Sequence, residues 1–332
     1  MALSAERAPR VAVLRALGLG DLLTIVPALR ALARAFPEHR RQLLAPGWLA
    51  PLLPLIVEEG EPCIHELAEV DGLGAGLRTL TGAPELGVNL HGRGPQSHRL
   101  LLESAPRRLL AFRNEDVPES AGMPVWEPDE HEARRWCRLL REAGVDADAS
   151  ELEIRPPESG ELPVWCRGAT MLHPGAASAA RRWPPERWAA VARAELGAGR
   201  DVILTGSRSE VGLARAIAAG AGIDPRHQLA GRTDLGNLTA LAAGAGTVVS
   251  GDTGVAHLAT ALGIPSVLLF GPTSPRQWGP PPDRDLHRVI WRGRLGDPHG
   301  DAVDPGLMEI EVEDVLEALS AVRRLPTAAS IA

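Results

Sequence analysis

The stretch VVSGDTGVAHLATALGIPSVLLF, residues 248–270, contains two apolar, β-branched runs separated by a glycine-containing turn and an alanine-rich segment. We predict strands over 247–249 and 266–270 and a helix over 255–262. A strand, a helix and a second strand in immediate succession are typical of a right-handed βαβ unit in a parallel sheet. Ligands of such sheets bind at the carboxyl ends of the strands. The turn at residues 251–254 is therefore a candidate ligand site.

The same alternation extends over the second half of the chain. Further strands are predicted over 169–172 and 201–204, and further helices over 186–198, 210–219, 235–243 and 312–324. Strands that alternate with helices of about ten residues indicate an α/β domain with a parallel sheet.

The first half opens in a similar way. RVAVL at 10–14 predicts a strand, and the spacing over 22–36 predicts a helix that Pro27 kinks or divides, because proline lacks the backbone donor. Short apolar runs separated by Gly and Pro over 42–114 suit an α/β domain with short strands. A helix is predicted over 128–144, with Pro128 at its start and Gly144 capping its end.

The length of 332 residues exceeds the range in which one hydrophobic core keeps growing. The stretch 146–163 is rich in Pro, Gly, Glu and Asp and has no sustained period, which favours an interdomain linker. We predict an N-terminal domain over 1–155, a C-terminal domain over 164–310, and a C-terminal helix over 311–325 that packs back on the N-terminal domain.

Composition excludes several functions. A net charge of -7 argues against a nucleic-acid binder. The three cysteines lack the spacing of a disulfide framework or a metal site and fit a reducing cytoplasm. The N-terminus MALSAERAPR does not resemble a secretory signal. The uncharged stretch 43–57 is too short and too rich in proline to span a membrane, whereas contact between the protein surface and a membrane stays open.

The turn Gly18-Leu19-Gly20-Asp21 follows the first predicted strand. Its two glycines could let the backbone approach a ligand closely. The third glycine of a dinucleotide-binding fingerprint is replaced by Leu23, which argues against NAD as a cofactor. Asp21 has two interpretations: it caps the N–H groups of the helix that follows, or it is a general base for a sugar hydroxyl.

A second motif, HPGAASAARRWPPERW, covers residues 173–188. The strand ends at His173, and a loop of small residues leads to Arg181 and Arg182, whose guanidinium groups could bind phosphate oxygens in a bidentate manner. The alternative, which applies more to Arg182, is a solvated pair beside Trp183.

Glu210 follows the loop 206–209 at the end of another predicted strand. Its carboxylate could accept hydrogen bonds from the two ribose hydroxyls of a nucleotide. Equally, it could be an N-terminal helix charge that interacts with the helix dipole.

In the third motif, Gly251-Asp252-Thr253-Gly254, a helix begins directly after a strand. Its free N–H groups form an anion site, and Gly254 leaves the approach free of a side chain. Thr253 can donate a hydroxyl hydrogen bond. His257, one turn later, either reaches the same ligand or is a structural histidine.

Together the three motifs resemble the bacterial glycosyltransferase family 9, the lipopolysaccharide heptosyltransferase-like enzymes. RALGLGDLLTIVPALRAL is similar to the N-terminal loop of that family, HPGAASAARRWPPERW to its donor phosphate loop, and SGDTGVAHLATALGIPSVLLFGPT to its most specific signature. NLHG at 89–92 also matches, with Asn89 where an acidic residue is common. The resemblance implies the α/β GT-B fold, in which two Rossmann-like domains with parallel sheets face each other across a cleft. It also places the acceptor on the N-terminal side and the nucleotide sugar on the C-terminal side.

The resemblance further implies an inverting transfer without a metal ion or cofactor, in which Asp21 is the base, Arg181 binds phosphate and Glu210 binds ribose. The other expected substrate contacts are Gly18, Gly20, His173, Arg182, Gly251, Asp252, Thr253, Gly254 and His257. We expect a nucleoside-diphosphate sugar such as ADP-heptose as donor, a glycan or glycolipid acceptor, and a monomer in the cytoplasm or at the inner face of the cytoplasmic membrane.

Two alternatives stay open: a sugar-nucleotide epimerase with the same fold, which needs no acceptor, and a non-catalytic nucleotide-sugar-binding protein. Residues 43–125 match the family only loosely. The identity of the acceptor therefore does not follow from the resemblance, because loop shapes determine it.

Overall fold

The structure, a computed structural model, describes residues 8–74, 82–158 and 162–324. Three parts of the predicted organisation lie outside these ranges: residues 1–7 of the N-terminal domain, residues 159–161 of the linker, and residue 325 of the C-terminal helix. The chain divides into two compact units between Arg155 and Pro156, which is inside the stretch 146–163. Each unit contains a five-stranded parallel sheet, as the predicted α/β fold requires.

The sheet of the first unit has the strand order β5-β2-β1-β6-β7, so β1 lies at its centre. Residues 11–14 of β1 are buried, as expected for a central strand between helical layers. Two further strands, β3 and β4, form a short antiparallel ribbon. The elements of this unit are β1 (Arg10–Leu14), α1 (Leu19–Thr24), α2 (Val26–Ala35), β2 (Arg40–Ala45), β3 (Val57–Glu58), β4 (Glu61–Pro62), β5 (Glu66–Glu69), β6 (Leu86–Asn89), α3 (Pro95–Leu102), β7 (Arg108–Leu110) and α4 (Glu132–Glu142), with 3-10 helices at Gly47–Leu55 and Pro118–Ser120.

The helix predicted over 22–36 is divided into α1 and α2 at Ile25. Pro27 lies in the first turn of α2, where a backbone donor has no helical partner. The predicted division is therefore confirmed, but helical structure already begins at Leu19. Asp21 consequently lies inside the first turn of α1 rather than in the loop before it.

Helix α4 begins at Glu132 and not at the predicted Pro128. His131 caps it, since the Nδ1 atom of its ring accepts a hydrogen bond from the Ala133 N–H at 3.2 Å. The predicted C-terminal cap is confirmed: Gly144 has φ = 83°, the left-handed conformation that glycine adopts without strain. The late start makes Glu132 the first residue of α4, which matters for the candidate site.

The sheet of the second unit has the order β12-β11-β10-β8-β9, with β10 at its centre. The carboxyl end of β10 is Gly251, the start of the third motif. The elements of this unit are β8 (Thr170–His173), α5 (Pro185–Gly197), β9 (Val202–Leu204), α6 (Val211–Ala221), α7 (Leu235–Gly244), β10 (Thr247–Gly251), α8 (Gly254–Leu262), β11 (Ser266–Phe270), α9 (Pro275–Trp278), β12 (His287–Trp291), α10 (Pro305–Met308) and α11 (Val312–Arg323), with 3-10 turns at Val164–Cys166, Ala179–Arg181, Arg208–Glu210 and Pro225–His227.

Helix α11 packs on the core of the second unit. Its buried face contains Val315, Leu319 and Val322, which lie in one apolar cluster with Trp183 and residues of α5, α6 and β11. These buried side chains contact the C-terminal core, and the expected packing of this helix on the N-terminal domain stays a prediction. None of the helices in the described ranges is both long and apolar enough to cross a membrane.

Candidate active site

Asp21 lies near the carboxyl end of β1, at the third position of α1. Its Oδ2 atom accepts a hydrogen bond from the Gly18 N–H at 3.2 Å, so the capping interpretation describes one part of its environment. The side chain is still 27% exposed and can reach a ligand. Gly18 has φ = -81°, and Gly20 lies within α1, so neither turn glycine adopts a conformation that only glycine allows.

Arg15 is a part of this site that the sequence analysis missed. Its side chain is only 1% exposed, and its Nη2 atom lies 3.0 Å from Oδ1 of Asp21. Nη1 of Arg15 donates to the Leu90 carbonyl at 2.6 Å. Burial raises the pKa of Asp21, Arg15 lowers it, and Glu132 raises it, with a net increase above the ordinary value. A charged residue directly after the buried strand RVAVL was the available signal.

The NLHG motif lies at the carboxyl end of β6, which pairs with β1 in parallel. The Oδ1 atom of Asn89 accepts a hydrogen bond from the His91 N–H at 3.0 Å and fixes the turn. Burial, followed by the charge of Arg15, lowers the pKa of His91 to about 4. His91 is therefore neutral near pH 7 and leaves Arg15 as the cation beside Asp21.

In the second unit, α8 begins at Gly254 directly after β10, and Thr253 is its N-cap residue. Thr253 is extended, with φ = -145°, and its hydroxyl makes no capping hydrogen bond. The buried Oγ1 atom of Thr253 has no hydrogen-bond partner among the described residues. The first N–H groups of this nine-residue helix and the unpaired hydroxyl are chemically suited to bind an anion.

The structure brings Arg181 to this helix start. Its Nη1 atom donates to the Asp252 carbonyl at 3.2 Å, while its buried Nε atom has no partner within the described ranges. A Cβ atom at Gly251 would lie 3.2 Å from the Arg181 carbonyl, so glycine allows the two backbones to approach this closely. Arg181 and the segment Gly251–Gly254 therefore form one group of residues, although they are far apart in sequence.

Asp252 and Arg182 both make contacts within the protein, and their contacts with substrate stay predictions. The Asp252 side chain is buried; burial raises its pKa, while Arg181 and a hydrogen bond with Thr273 oppose that increase. Nε of Arg182 donates to the Ala176 carbonyl at 2.9 Å. Arg182 thus braces the backbone of the loop after β8, and its proposed contact with phosphate stays a prediction.

Glu210 lies against the start of the same loop. Its Oε2 atom accepts a hydrogen bond from the Ser207 N–H at 2.7 Å. The carboxylate therefore lies at the start of the helix, as one of its two interpretations expects. A Cβ atom at Gly175 would come within 2.1 Å of the Glu210 carboxyl group. His173 bonds Thr205 at 3.0 Å through Nδ1. Burial lowers the pKa of His173 to about 4, against the opposing charge of Glu210.

His257 lies on α8 one turn after Thr253. Its ring makes an edge-to-face contact with Trp278 of α9, with ring centroids 6.0 Å apart. The contact holds the imidazole near the start of α8. Within residues 8–74, 82–158 and 162–324 there is no group of three or more His, Cys, Asp or Glu side chains that could hold a metal ion.

Known proteins with similar sequences include several heptosyltransferases. The family model of glycosyltransferase family 9 (heptosyltransferase) matches residues 110–294. Lipooligosaccharide heptosyltransferase 2 of Haemophilus ducreyi is 32% identical, over 91% of this chain and 95% of that protein. The protein of the same name from Haemophilus influenzae is 27% identical over the same shares. The solved structure of Escherichia coli ADP-heptose lps heptosyltransferase II has a TM-score of 0.74 at 23% identity and covers 95% of this chain and 98% of its own.

These findings define a class of protein. The α/β fold with parallel sheets is the GT-B fold, and the protein is a glycosyltransferase. Within that class, the chain belongs to glycosyltransferase family 9, the heptosyltransferase family.

Proposed function

We propose that the protein transfers a sugar from a nucleoside-diphosphate sugar to a hydroxyl group of a cell-envelope glycan or glycolipid, with inversion at the anomeric carbon and without a metal ion. One observation supports the proposed position of the donor diphosphate. Thr253 Oγ1 and Arg181 Nε are buried beside the start of α8 without hydrogen-bond partners among the described residues. Buried polar atoms without partners are rare in proteins. The oxygens of a diphosphate would satisfy both.

The names of the relatives indicate which nucleoside-diphosphate sugar is the donor. Heptosyltransferases recur among them, and the name of the Escherichia coli structure includes ADP-heptose. We therefore take ADP-heptose as the donor. In this proposal Glu210 accepts hydrogen bonds from the ribose hydroxyls, and His257 approaches the diphosphate from α8. The turn glycines, His173 and Asp252 shape the backbone around the substrates.

The proposed reaction is a single displacement. Asp21 takes the proton of the acceptor hydroxyl, whose oxygen forms a bond to the anomeric carbon of the donor sugar. The bond from that carbon to the diphosphate breaks, and its electron pair leaves with the nucleoside diphosphate. Arg181 and the N–H groups of α8 stabilise the charge that develops there. Attack opposite the leaving group inverts the configuration.

The cellular setting is also a proposal. The three cysteines are buried and free, which fits a reducing cytoplasm. Trp48, in the 3-10 helix Gly47–Leu55, is 54% exposed and would contact lipid if the protein works at the inner face of the membrane. The monomeric state stays a prediction.

The proposal is tested by release of ADP from ADP-heptose, measured with and without a glycolipid acceptor. A transferase releases ADP and forms product only when the acceptor is present. An epimerase would convert the donor without an acceptor, and a binding protein would bind ADP without turnover; either result would overturn the proposal. A thermal-shift series with ADP, UDP, GDP and dTDP identifies the nucleotide base of the donor, and ADP should stabilise the protein most.

A further inference from the structure

Four charged side chains, three of them buried and Asp21 partly exposed, form a group in the first unit that we call the Arg15 cluster: Asp21, Arg15, Glu132 and Arg135. Nη2 of Arg15 lies 3.0 Å from Asp21 Oδ1 and also 3.0 Å from Glu132 Oε1. The Glu132 side chain is 6% exposed. A single guanidinium nitrogen thus donates hydrogen bonds to two carboxylates, one from α1 and one from α4.

Glu132 is held firmly in this place. Its Oε1 atom also accepts a hydrogen bond from Trp136 Nε1 at 3.0 Å. Its Oε2 atom pairs with Arg135, whose Nη2 atom also donates to the carbonyl of Glu130 at 2.9 Å. The Glu132 carboxylate therefore cannot swing away without breaking several buried hydrogen bonds.

The two carboxylates compete for Arg15. If Glu132 were absent, Arg15 would be free to pair with Asp21 alone, and Arg135 would lose its carboxylate partner. A carboxylate that is fully paired with arginine holds its negative charge strongly and accepts protons poorly. Within the described residues, His91 from the loop after β6 also interacts with Arg15, and it is neutral near pH 7 because burial lowers its pKa to about 4.

We propose that Glu132 is a positioning residue for glycosyl transfer: by sharing Arg15 with Asp21, it keeps the Asp21 carboxylate basic enough to take the proton of the acceptor hydroxyl. Glu132 acts through Arg15 and does not touch the substrates in this role. The proposal rests on the proposed function, in which Asp21 is the general base.

The direction of the effect follows from the charges. Burial raises the pKa of Asp21, Arg15 lowers it, and Glu132 raises it. Replacing Glu132 with Gln removes a negative charge and leaves Arg15 to Asp21, so the pKa of Asp21 falls. A weaker base is deprotonated at lower pH but removes the acceptor proton more slowly.

The test is the single-turnover rate of transfer as a function of pH for Glu132→Gln. We expect the acidic limb of the profile to move down by about 1 pH unit and the plateau rate to fall by roughly 3- to 30-fold. Glu142→Gln is the matched control, since it makes the same chemical change at the exposed end of α4. The control should leave the acidic limb in place. A Glu132→Gln limb that coincides with that of the unmodified protein would overturn the proposal.

Two further variants keep the test decisive. Glu132→Asp keeps the charge but shortens the side chain by one methylene group, so it should move the acidic limb toward lower pH by less than Glu132→Gln does. A limb that stays fixed in Glu132→Asp, with Glu132→Gln unfolded, contradicts the proposal. Asp21→Asn distinguishes failure of the proposed function from failure of the role of Glu132. If Asp21→Asn retains the transfer rate of the unmodified protein, the proposed function itself fails. If it loses the rate while Glu132→Gln leaves the limb unmoved, only the role of Glu132 fails.

Discussion

The Arg181 guanidinium donates to the backbone carbonyl of Asp252, with Nη1 and the oxygen 3.2 Å apart. This bond joins the loop after β8 to the turn after β10, two segments separated by 71 positions in the sequence. It places a cation beside the N-terminus of α8, where its charge and the helix dipole would attract the same anion.

Replacing Arg181 with Ala should weaken ADP binding by about 10- to 100-fold, because a hydrogen bond to a charged group contributes roughly 1.5–3 kcal/mol. Arg181→Lys should bind with intermediate affinity, since it keeps the charge but not the planar geometry. Isothermal titration measures both. Arg193→Ala removes an exposed arginine of α5 that donates to the Gly220 carbonyl, and it should bind ADP normally. Equal affinities of the Arg181→Ala and Arg193→Ala variants would count against the phosphate role.

A methyl group at Gly175 should disturb donor binding through Glu210. The added Cβ would lie 2.1 Å from the Glu210 carboxyl group, which is the mobile end of its side chain and must move. We expect Gly175→Ala to lower ADP affinity by about 10-fold, roughly the effect of losing one or two hydrogen bonds. Gly197→Ala is the control, because a Cβ at Gly197 meets no atom within 4 Å.

A double-mutant cycle then assigns the effect of Gly175→Ala. If Gly175→Ala lowers ADP affinity by displacing the Glu210 carboxylate, the same change should have little effect on affinity in a Glu210→Ala background. The effects of the two substitutions on the binding free energy will then be far from additive. Additive losses would show that Gly175 contacts the donor independently of Glu210.

Glu195 should stabilise the second unit in a pH-dependent way. Its carboxylate is buried in α5; burial raises its pKa, but hydrogen bonds from Arg323, Arg200 and Thr170 outweigh that effect and lower the pKa to about 2. Because the pKa is lower in the folded state, the stabilisation is fully present above about pH 4.5 and is lost as the pH falls through about 2. It amounts to roughly 3 kcal/mol at neutral pH.

Urea unfolding checks this prediction. Glu195→Gln should lower the free energy of unfolding by about 3 kcal/mol at pH 7, because it removes the buried carboxylate that pairs with the partly exposed Arg200 and Arg323. The difference from the unmodified protein should shrink as the pH is lowered from 4.5 toward 2. The exposed Glu313→Gln on α11 serves as the control and should change stability by less than about 0.5 kcal/mol. A difference that is independent of pH would contradict the assignment.

Local sequence patterns predicted the central elements of both sheets well. The strands β1 and β11 were predicted with their observed limits, because buried parallel strands are short apolar runs bounded by turns. The strand β12 was missed, since its residues are mostly half-buried at a sheet edge and give no clear alternation. The start of α4 was misplaced because His131 caps the helix with its ring, a less common choice than Ser or Asp.

The candidate site was predictable only in part. Asp21, Arg181 and Thr253 stand at strand ends, so their positions follow from local pattern and topology. The pairing of Arg15 with Glu132 joins residues 117 positions apart, and no local period indicates it. The bracing role of Arg182 was missed for the same reason: two adjacent arginines look alike in sequence, and only the tertiary structure shows where each side chain points.

In the proposed mechanism, Asp21 is the base for transfer to an acceptor. Asp21→Asn is the appropriate variant, because the amide oxygen can still accept the hydrogen bond from the Gly18 N–H, so the start of α1 is preserved. Asp146→Asn, in the exposed loop after α4, makes the same change away from the site and controls for it.

The decisive measurement is the turnover number of Asp21→Asn with saturating donor and acceptor, together with its dissociation constant for ADP. We expect a turnover number lower by about 10²- to 10⁴-fold and an ADP affinity within about 2-fold of the unmodified protein. A turnover number equal to that of the unmodified protein and the Asp146→Asn control would contradict the proposed mechanism.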